Sequence, residues 1–389
     1  MVIKLLVALL YILLSTTAAQ QCYPLYSQEL INSMGPTFLP SSSSSSSSFP
    51  PTPTASIESN PTSFVPALFV IGDSSVECGT NNFLGTFARA DRLPFGRDFD
   101  THQPTRRFCN GRIPVDYLAL RLGLPFVPKM IHILNFASAS AEIIFTSGLE
   151  LGQHVSFNQQ FIISLGEQAT IDLVSNSVLY ISNGINDYIH YYLHKVSNVQ
   201  NLYFPWGFNQ FLTSTLRFLC ILMVQNLYNI NVMKVVVIGL ALIGCAPHYL
   251  SQYRVKDGQC IKEINNMVME FNFVMRYMIE ELREELPVTN IIFYNMFEGS
   301  MDIIKNFARY GESFNETTVT FCGLGEHKGF VMCLSPDMAC NDASNHVWWD
   351  QFHPTDAVNA ILADNVWNGL HTKLCYPMNL GDMVVSSSY

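Results

Sequence analysis

The chain is short of charge. Of its 389 residues 13% are Asp, Glu, Lys or Arg, against 49% that are hydrophobic. Its 21 Lys and Arg are outnumbered by 31 Asp and Glu, for a net charge of −10, and they cluster into no basic stripe. Such a chain has no electrostatic attraction for a phosphate backbone, which excludes nucleic acid as a partner. Long apolar runs are scarce as well. The one at the N-terminus falls well short of the roughly 20 residues that a spanning helix needs, and no other run is long enough, so stable membrane insertion is not expected. C-x-x-C spacing is missing among the ten cysteines, which argues against a zinc cluster. No metal and no cofactor are expected.

What is present falls into blocks. Residues 1–19 carry Lys4, an apolar core from Leu5 to Leu14 and the small residues Ser15 to Ala19. That order describes a secretory signal peptide. Residues 20–63 contain the homopolymer Ser41 to Ser48 followed by Pro50, Pro51 and Pro53. Ser and Pro bury too little apolar surface to offset the entropy of ordering, so this block reads as a flexible or extended linker. Residues 64–378 form the folded unit and residues 379–389 a C-terminal tail. In a secreted chain the cysteines are expected to be partly disulfide-bonded. Cys245 and Cys260 flank a short polar excursion and are candidates to pair. The connectivity of Cys322, Cys333 and Cys340 stays open. Asn315-Glu316-Thr317 is an N-glycosylation acceptor with Asn315 as its site.

Five short apolar or β-branched runs read as buried strands: Ala67–Ile71, Ile131–Ala137, Val178–Ser182, Lys234–Gly239 and Asn290–Tyr294. Helix-like stretches lie between them at Pro114–Leu122, Asn209–Tyr228 and Ile261–Leu286. In the last, Ile264, Val268, Phe271, Met275, Met278, Ile279 and Leu282 recur at i+3/i+4 spacing, a stripe for core packing. A final helix is expected over Thr355–His371, just after Pro354. Continuous apolar strands alternating with helices predict an α/β fold with a parallel sheet covered on both faces. Ligands of such sheets sit at the carboxyl ends of the strands.

Two polar motifs follow strands and so reach that edge. Gly72-Asp73-Ser74 follows the first. A serine hydroxyl there becomes a nucleophile once a base removes its proton, although alone the triplet reads as helix-capping chemistry. Gly184-Ile185-Asn186-Asp187 follows the third. Its Asn186 side chain offers an N–H to a developing oxyanion, though Asn-Asp is also turn chemistry, and Gly184 permits close backbone approach. Near the C-terminus Asp350 and His353 stand three apart. On one helical turn that spacing makes them neighbours, so the carboxylate can hold and stabilise the imidazole.

On these motifs the chain resembles the secreted plant branch of the GDSL-type (SGNH) esterase/lipase family. Further stretches carry the resemblance: Phe108-Cys-Asn-Gly-Arg112, Asn135-Phe-Ala-Ser138, Val237 to Pro247, and Trp348-Trp-Asp-Gln-Phe-His-Pro354. The likeness runs from about Pro66 to Pro377. It implies a flavodoxin-like three-layer α/β/α domain with a mostly parallel five-stranded sheet. It implies metal-free hydrolysis of acyl esters, of small molecules or of lipid or acylated glycan, with Ser74 as nucleophile, His353 as base, Asp350 as its partner, and Ser74 and Asn186 as oxyanion donors. Four departures stand out. Ser75 replaces a leucine, Phe321 stands at a cysteine position, and the segments around Lys129 to Ile133 and around Asn158 are shorter than the family's. Glu142 stands where a glycine would complete the oxyanion hole, which leaves the Glu142 backbone N–H as the expected third donor. Two competing readings follow: a weak or silent relative that binds acylated glycan or lipid in the same cleft, and a structural protein anchored to a cell wall by its Ser/Pro segment.

Overall fold

The computed structural model describes residues 63–83, 86–124, 133–144, 167–225, 232–310, 314–343 and 345–386. The expected signal peptide lies outside them, as does the expected linker up to residue 62.

The five expected strands form, and each is almost wholly buried: β1 (Leu68–Gly72), β2 (Ile133–Asn135), β3 (Val178–Ser182), β4 (Lys234–Ile238) and β5 (Asn290–Tyr294). All are parallel, in the order β2-β1-β3-β4-β5. A separate short sheet pairs β6 (Glu316–Thr320) with β7 (His346–Trp348). A sixth strand of the main sheet, β8 (Cys375–Tyr376), was not expected and runs antiparallel to β5. At two residues it is too short to register as an apolar run. β2 ends two residues earlier than expected because Asn135 turns the chain, its Oδ1 accepting the Ala137 N–H at 2.9 Å; the expected start at residue 131 lies outside the described residues.

The principal helices are α1 (Pro114–Arg121), α2 (Glu167–Asn176), α3 (Pro205–Gln225), α4 (Lys262–Glu285), α5 (Met296–Lys305) and α6 (Asp356–Asn368). They sort into two layers. Leu179 and Ile181 of β3 share a small gap with Cys220 of α3 and with Ile279 and Leu282 of α4. Tyr180, between them in sequence, faces the opposite side with Ile303 of α5 and Leu362 of α6. That is the period-2 alternation of a strand read out on two helical layers. The expected stripe on α4 is buried in full. α3 starts four residues earlier than expected, since Pro205 is tolerated in a first turn. α6 ends three residues early, where Gly369 takes the left-handed conformation (φ 64°). Within the expected C-terminal tail, residues Leu380–Ser386 form a helix with Leu380, Met383 and Val384 buried; residues 387–389 lie outside the described residues.

Strand order reverses at β1: the chain goes from β1 out to β2, then returns past β1 to β3. The carboxyl ends of β1 and β3 therefore flank a topological switch point, where sheets of this kind leave a crevice. Cys245–Cys260 and Cys322–Cys333 are disulfides, and Cys340 keeps its thiol 2.9 Å from Lys328 Nζ. Phe321 is fully buried and stacked on Trp349 at 5.2 Å, directly before Asp350.

Candidate active site

β1 and β3 end unusually close together. A Cβ on Gly72 would stand 2.5 Å from the Ser182 carbonyl oxygen, so only glycine fits. Beyond it the Asp73 N–H donates to Ser182 O at 3.1 Å, and the Asp73 carboxylate accepts the Ser75 N–H at 2.9 Å. This turn buries Asp73 and leaves Ser74 half-buried at the sheet edge. Burial raises the Asp73 carboxyl above its ordinary range, against the hydrogen bonds from Ser75. The Ser74 N–H has no protein acceptor among the described residues.

Across the crevice, His353 Nε2 lies 2.8 Å from Ser74 Oγ. Its Nδ1 lies 2.8 and 2.9 Å from the two carboxylate oxygens of Asp350. The expected helical turn is absent. Asp350 and His353 meet instead across a tight bend between β7 and α6, in which the Trp349 N–H donates to His353 O at 2.8 Å. Asp350 Oδ1 also accepts the backbone N–H groups of Phe352 and His353 at 3.0 and 2.9 Å. The carboxylate is thus built into the bend that presents the imidazole. Burial by itself would lower the His353 pKa. The charge and hydrogen bond of Asp350 outweigh it and leave the imidazole above the ordinary histidine value.

The segment after Asn135 reaches the same crevice. Asn81 holds it, its Oδ1 accepting Ser138 Oγ–H at 2.7 Å and the Ala139 N–H at 2.9 Å. Ala139 and Ser140 line the cavity. Ser140 has φ 69°, the left-handed region that a side chain disfavours, and its N–H has no protein acceptor among the described residues. Glu142 does not line the cavity. Its buried carboxylate lies 2.7 Å from His190 Nδ1 and accepts Tyr191 Oη–H at 2.7 Å. Asn186 does line it and is buried, with one Nδ2 hydrogen donated to Ala141 O at 2.9 Å and the other without a protein acceptor among the described residues. Gly184, at φ 118°, makes the turn that brings Asn186 there. Next to it, burial lifts the Asp187 carboxyl to about 7 even though Ile143 N–H and Ile144 N–H both donate to it, with Glu142 adding to the rise.

The cavity holds about 260 Å³. Its lining joins Ser74, Asn186 and His353 to the exposed side chains of Phe87 and Met332 and to the buried apolar side chains of Ile303, Val358 and Leu362, with buried Tyr180. An apolar pocket with a few convergent polar groups is what a small acyl-bearing ligand requires.

Of the sequence-predicted residues, Ser74, His353, Asp350 and Asn186 converge on this cavity, while Glu142 turns away. Asn315 is exposed immediately before β6. Sequence reading missed several participants. Phe108 lays its ring 5.0 Å from the His353 imidazole. Asn110 Oδ1 accepts the Asp356 N–H at 2.9 Å, which ties the Phe108–Arg112 segment to the start of α6. His190 carries no local signature; the run of small residues between Ser138 and Ala141 is the cue that would have found Ser140.

Residues 68–366 match the GDSL-like lipase/acylhydrolase family. A GDSL esterase/lipase of Arabidopsis thaliana is 35% identical over 352 residues, covering 86% of this chain and 89% of its own. GDSL esterase/lipase 7 of the same plant is 35% identical over 343 residues, covering 82% and 92%. On this match over most of its length, the chain belongs to the GDSL-like lipase/acylhydrolase family, a family of ester hydrolases.

Proposed function

We propose that the protein is a secreted serine esterase that hydrolyses acyl esters through an acyl-enzyme at Ser74. One observation carries the reading: Ser74 Oγ lies 2.8 Å from His353 Nε2 while the other ring nitrogen is held by Asp350. His353 Nε2 takes the hydroxyl proton as Ser74 Oγ attacks the acyl carbon. Asp350 holds the tautomer and stabilises the imidazolium that forms. The oxyanion is met by the Ser74 N–H, the Ser140 N–H and the second Nδ2 hydrogen of Asn186; Ser140 takes the part expected of Glu142. His353 then protonates the departing alcohol, and a water repeats the sequence on the acyl-enzyme to release the acid and free Ser74. The buried apolar end of the cavity receives the acyl chain.

Secretion is supported by the character of residues 1–19, by the two disulfides and by the exposure of Asn315 as an acceptor for glycan. The silent-relative reading loses one of its two motives, since the Glu142 carboxylate is turned from the cavity onto His190 and Tyr191; the other, the short segments before Ile133 and around residue 158, lies outside the described residues. Ser74→Ala is expected to abolish hydrolysis of p-nitrophenyl butyrate with an unchanged circular dichroism spectrum, and the wild type to take up one fluorophosphonate at Ser74. Retained turnover in the variant, or no labelling of the folded wild type, would overturn the assignment.

A further inference from the structure

We propose that Glu142 is a positioning residue: bound to His190 and Tyr191, it fixes the segment bearing Ser140 against the segment bearing Asn186 and so sets the spacing of the oxyanion donors. The inference rests on the reading of Ser74 as nucleophile and deepens it.

The need for such a device follows from the sheet. Ser140 follows β2 and Asn186 follows β3, and these strands are not neighbours, because β1 lies between them. No backbone ladder relates the two donors directly. Their separation must be set above the sheet, by contacts between the two segments.

Those contacts form a short ladder of side chains. Asn186 Nδ2 donates to Ala141 O at 2.9 Å. Asp187 accepts the N–H of Ile143 at 2.7 Å and of Ile144 at 3.1 Å. Glu142, between these points, reaches His190 Nδ1 and Tyr191 Oη, each at 2.7 Å. Every rung joins a residue within four positions of Ser140 to a residue within five of Asn186. Glu142 is the rung that uses side chains at both ends, so it can be removed without deleting a donor.

Two features point to the oxyanion site as what the rung serves. Ser140 sits in a left-handed conformation that its side chain disfavours, and such conformations persist only where the surroundings hold them. His190 lies on the π-helical turn Asp187–Tyr192 that starts immediately after Asn186, and it lines the same cavity. A glycine at position 142 would leave His190 and Tyr191 without this carboxylate.

The test measures kcat and KM for p-nitrophenyl butyrate, with active sites counted by fluorophosphonate uptake at completion. Glu142→Ala is expected to lower kcat per labelled site by about ten- to hundredfold, the scale of a slightly misplaced or weakened donor, with KM within about threefold. Glu142→Gln still offers an acceptor to Tyr191 and a donor to His190, and is expected to recover kcat to within about threefold of wild type. A merely structural role would lower the thermal midpoint of Glu142→Ala and leave kcat per site alone. Unchanged kcat in fully labelled Glu142→Ala overturns the clamp while leaving Ser74 as nucleophile; so does a Glu142→Gln variant as impaired as Glu142→Ala. If Glu142→Ala does not fold, the double variant H190A/Y191F takes its place, with the same loss expected and unchanged kcat again overturning the clamp. A folded wild type that takes no fluorophosphonate overturns the nucleophile and the clamp together.

Discussion

Arg107 and Asp116 form a two-pronged ion pair almost out of contact with water. Nε donates to Oδ2 at 2.7 Å and Nη2 to Oδ1 at 2.8 Å, with both side chains under a tenth exposed. Asp116 also accepts the Ile113 N–H at the start of α1, and Arg107 Nη1 donates to Thr105 O. The pair pins the segment that carries Phe108 to the His353 ring. Removing one partner strands a buried charge. Arg107→Ala should therefore lose about 3–5 kcal/mol of stability in urea denaturation, whereas an exposed pair such as Arg276 with Glu280 should lose no more than about 1 kcal/mol.

In the proposed reaction His353 must be neutral to accept the Ser74 proton. Asp350 keeps its pKa above the ordinary histidine value, against burial. Activity therefore rises with pH, and the acid limb of kcat/KM should have its midpoint above the ordinary histidine value of 6.5. In Asp350→Asn the main force opposing burial is gone, so that midpoint should move down. The same variant should lose kcat by about 10⁴, through the wrong tautomer. A pH–rate series on both proteins separates the two effects.

Glu77 is buried three residues past Ser74, where its Oε1 accepts the N–H groups of Gly79 and Asn81. Burial lifts its pKa from 4.5 to about 7, in spite of those bonds. The folded state thus holds a proton that the unfolded state has released. The resulting stabilisation is fully present below pH 4.5 and is lost as pH rises through about 7. Glu77→Gln keeps the acceptor and does not titrate. Relative to wild type it should gain up to about 3 kcal/mol between pH 5 and 8, measured by denaturant titrations at each pH.

In the proposed reaction the buried apolar part of the cavity bounds the acyl chain. Leu362→Trp should fill it, lowering kcat/KM for p-nitrophenyl octanoate by at least about tenfold while the acetate ester changes by less than about threefold. Equal loss on both esters, or none on either, would place the chain elsewhere. Thermal melting checks that the larger ring has not simply strained the core.

Much of this is legible in the sequence because the strands of a doubly covered sheet are continuous apolar runs. Val178–Ser182 emerges with the expected bounds, and Asn290–Tyr294 likewise. Ser74 and Asn186 follow strands, so their place at the sheet edge comes with the topology. His353 is identified by Asp350 beside it, although a bend rather than a helical turn joins them. The rest depends on contacts between distant segments. Nothing local marks Ser140 for a positive φ, and nothing in the spacing of Glu142 and His190 shows that 48 residues close into a 2.7 Å contact. β8 is too brief for any periodicity to reveal.

The proposed nucleophile Ser74 and its proposed base His353 are separated by 279 residues. A ribosome adding about 5–20 residues per second needs roughly 15–55 s to cover that stretch. Throughout that interval the growing polypeptide carries an ordinary, unreactive alcohol where its most reactive atom will be. Esters met during synthesis face no threat from it. Potency arrives late, with the segment that closes the C-terminal third onto the sheet, so an incompletely made molecule is harmless by construction.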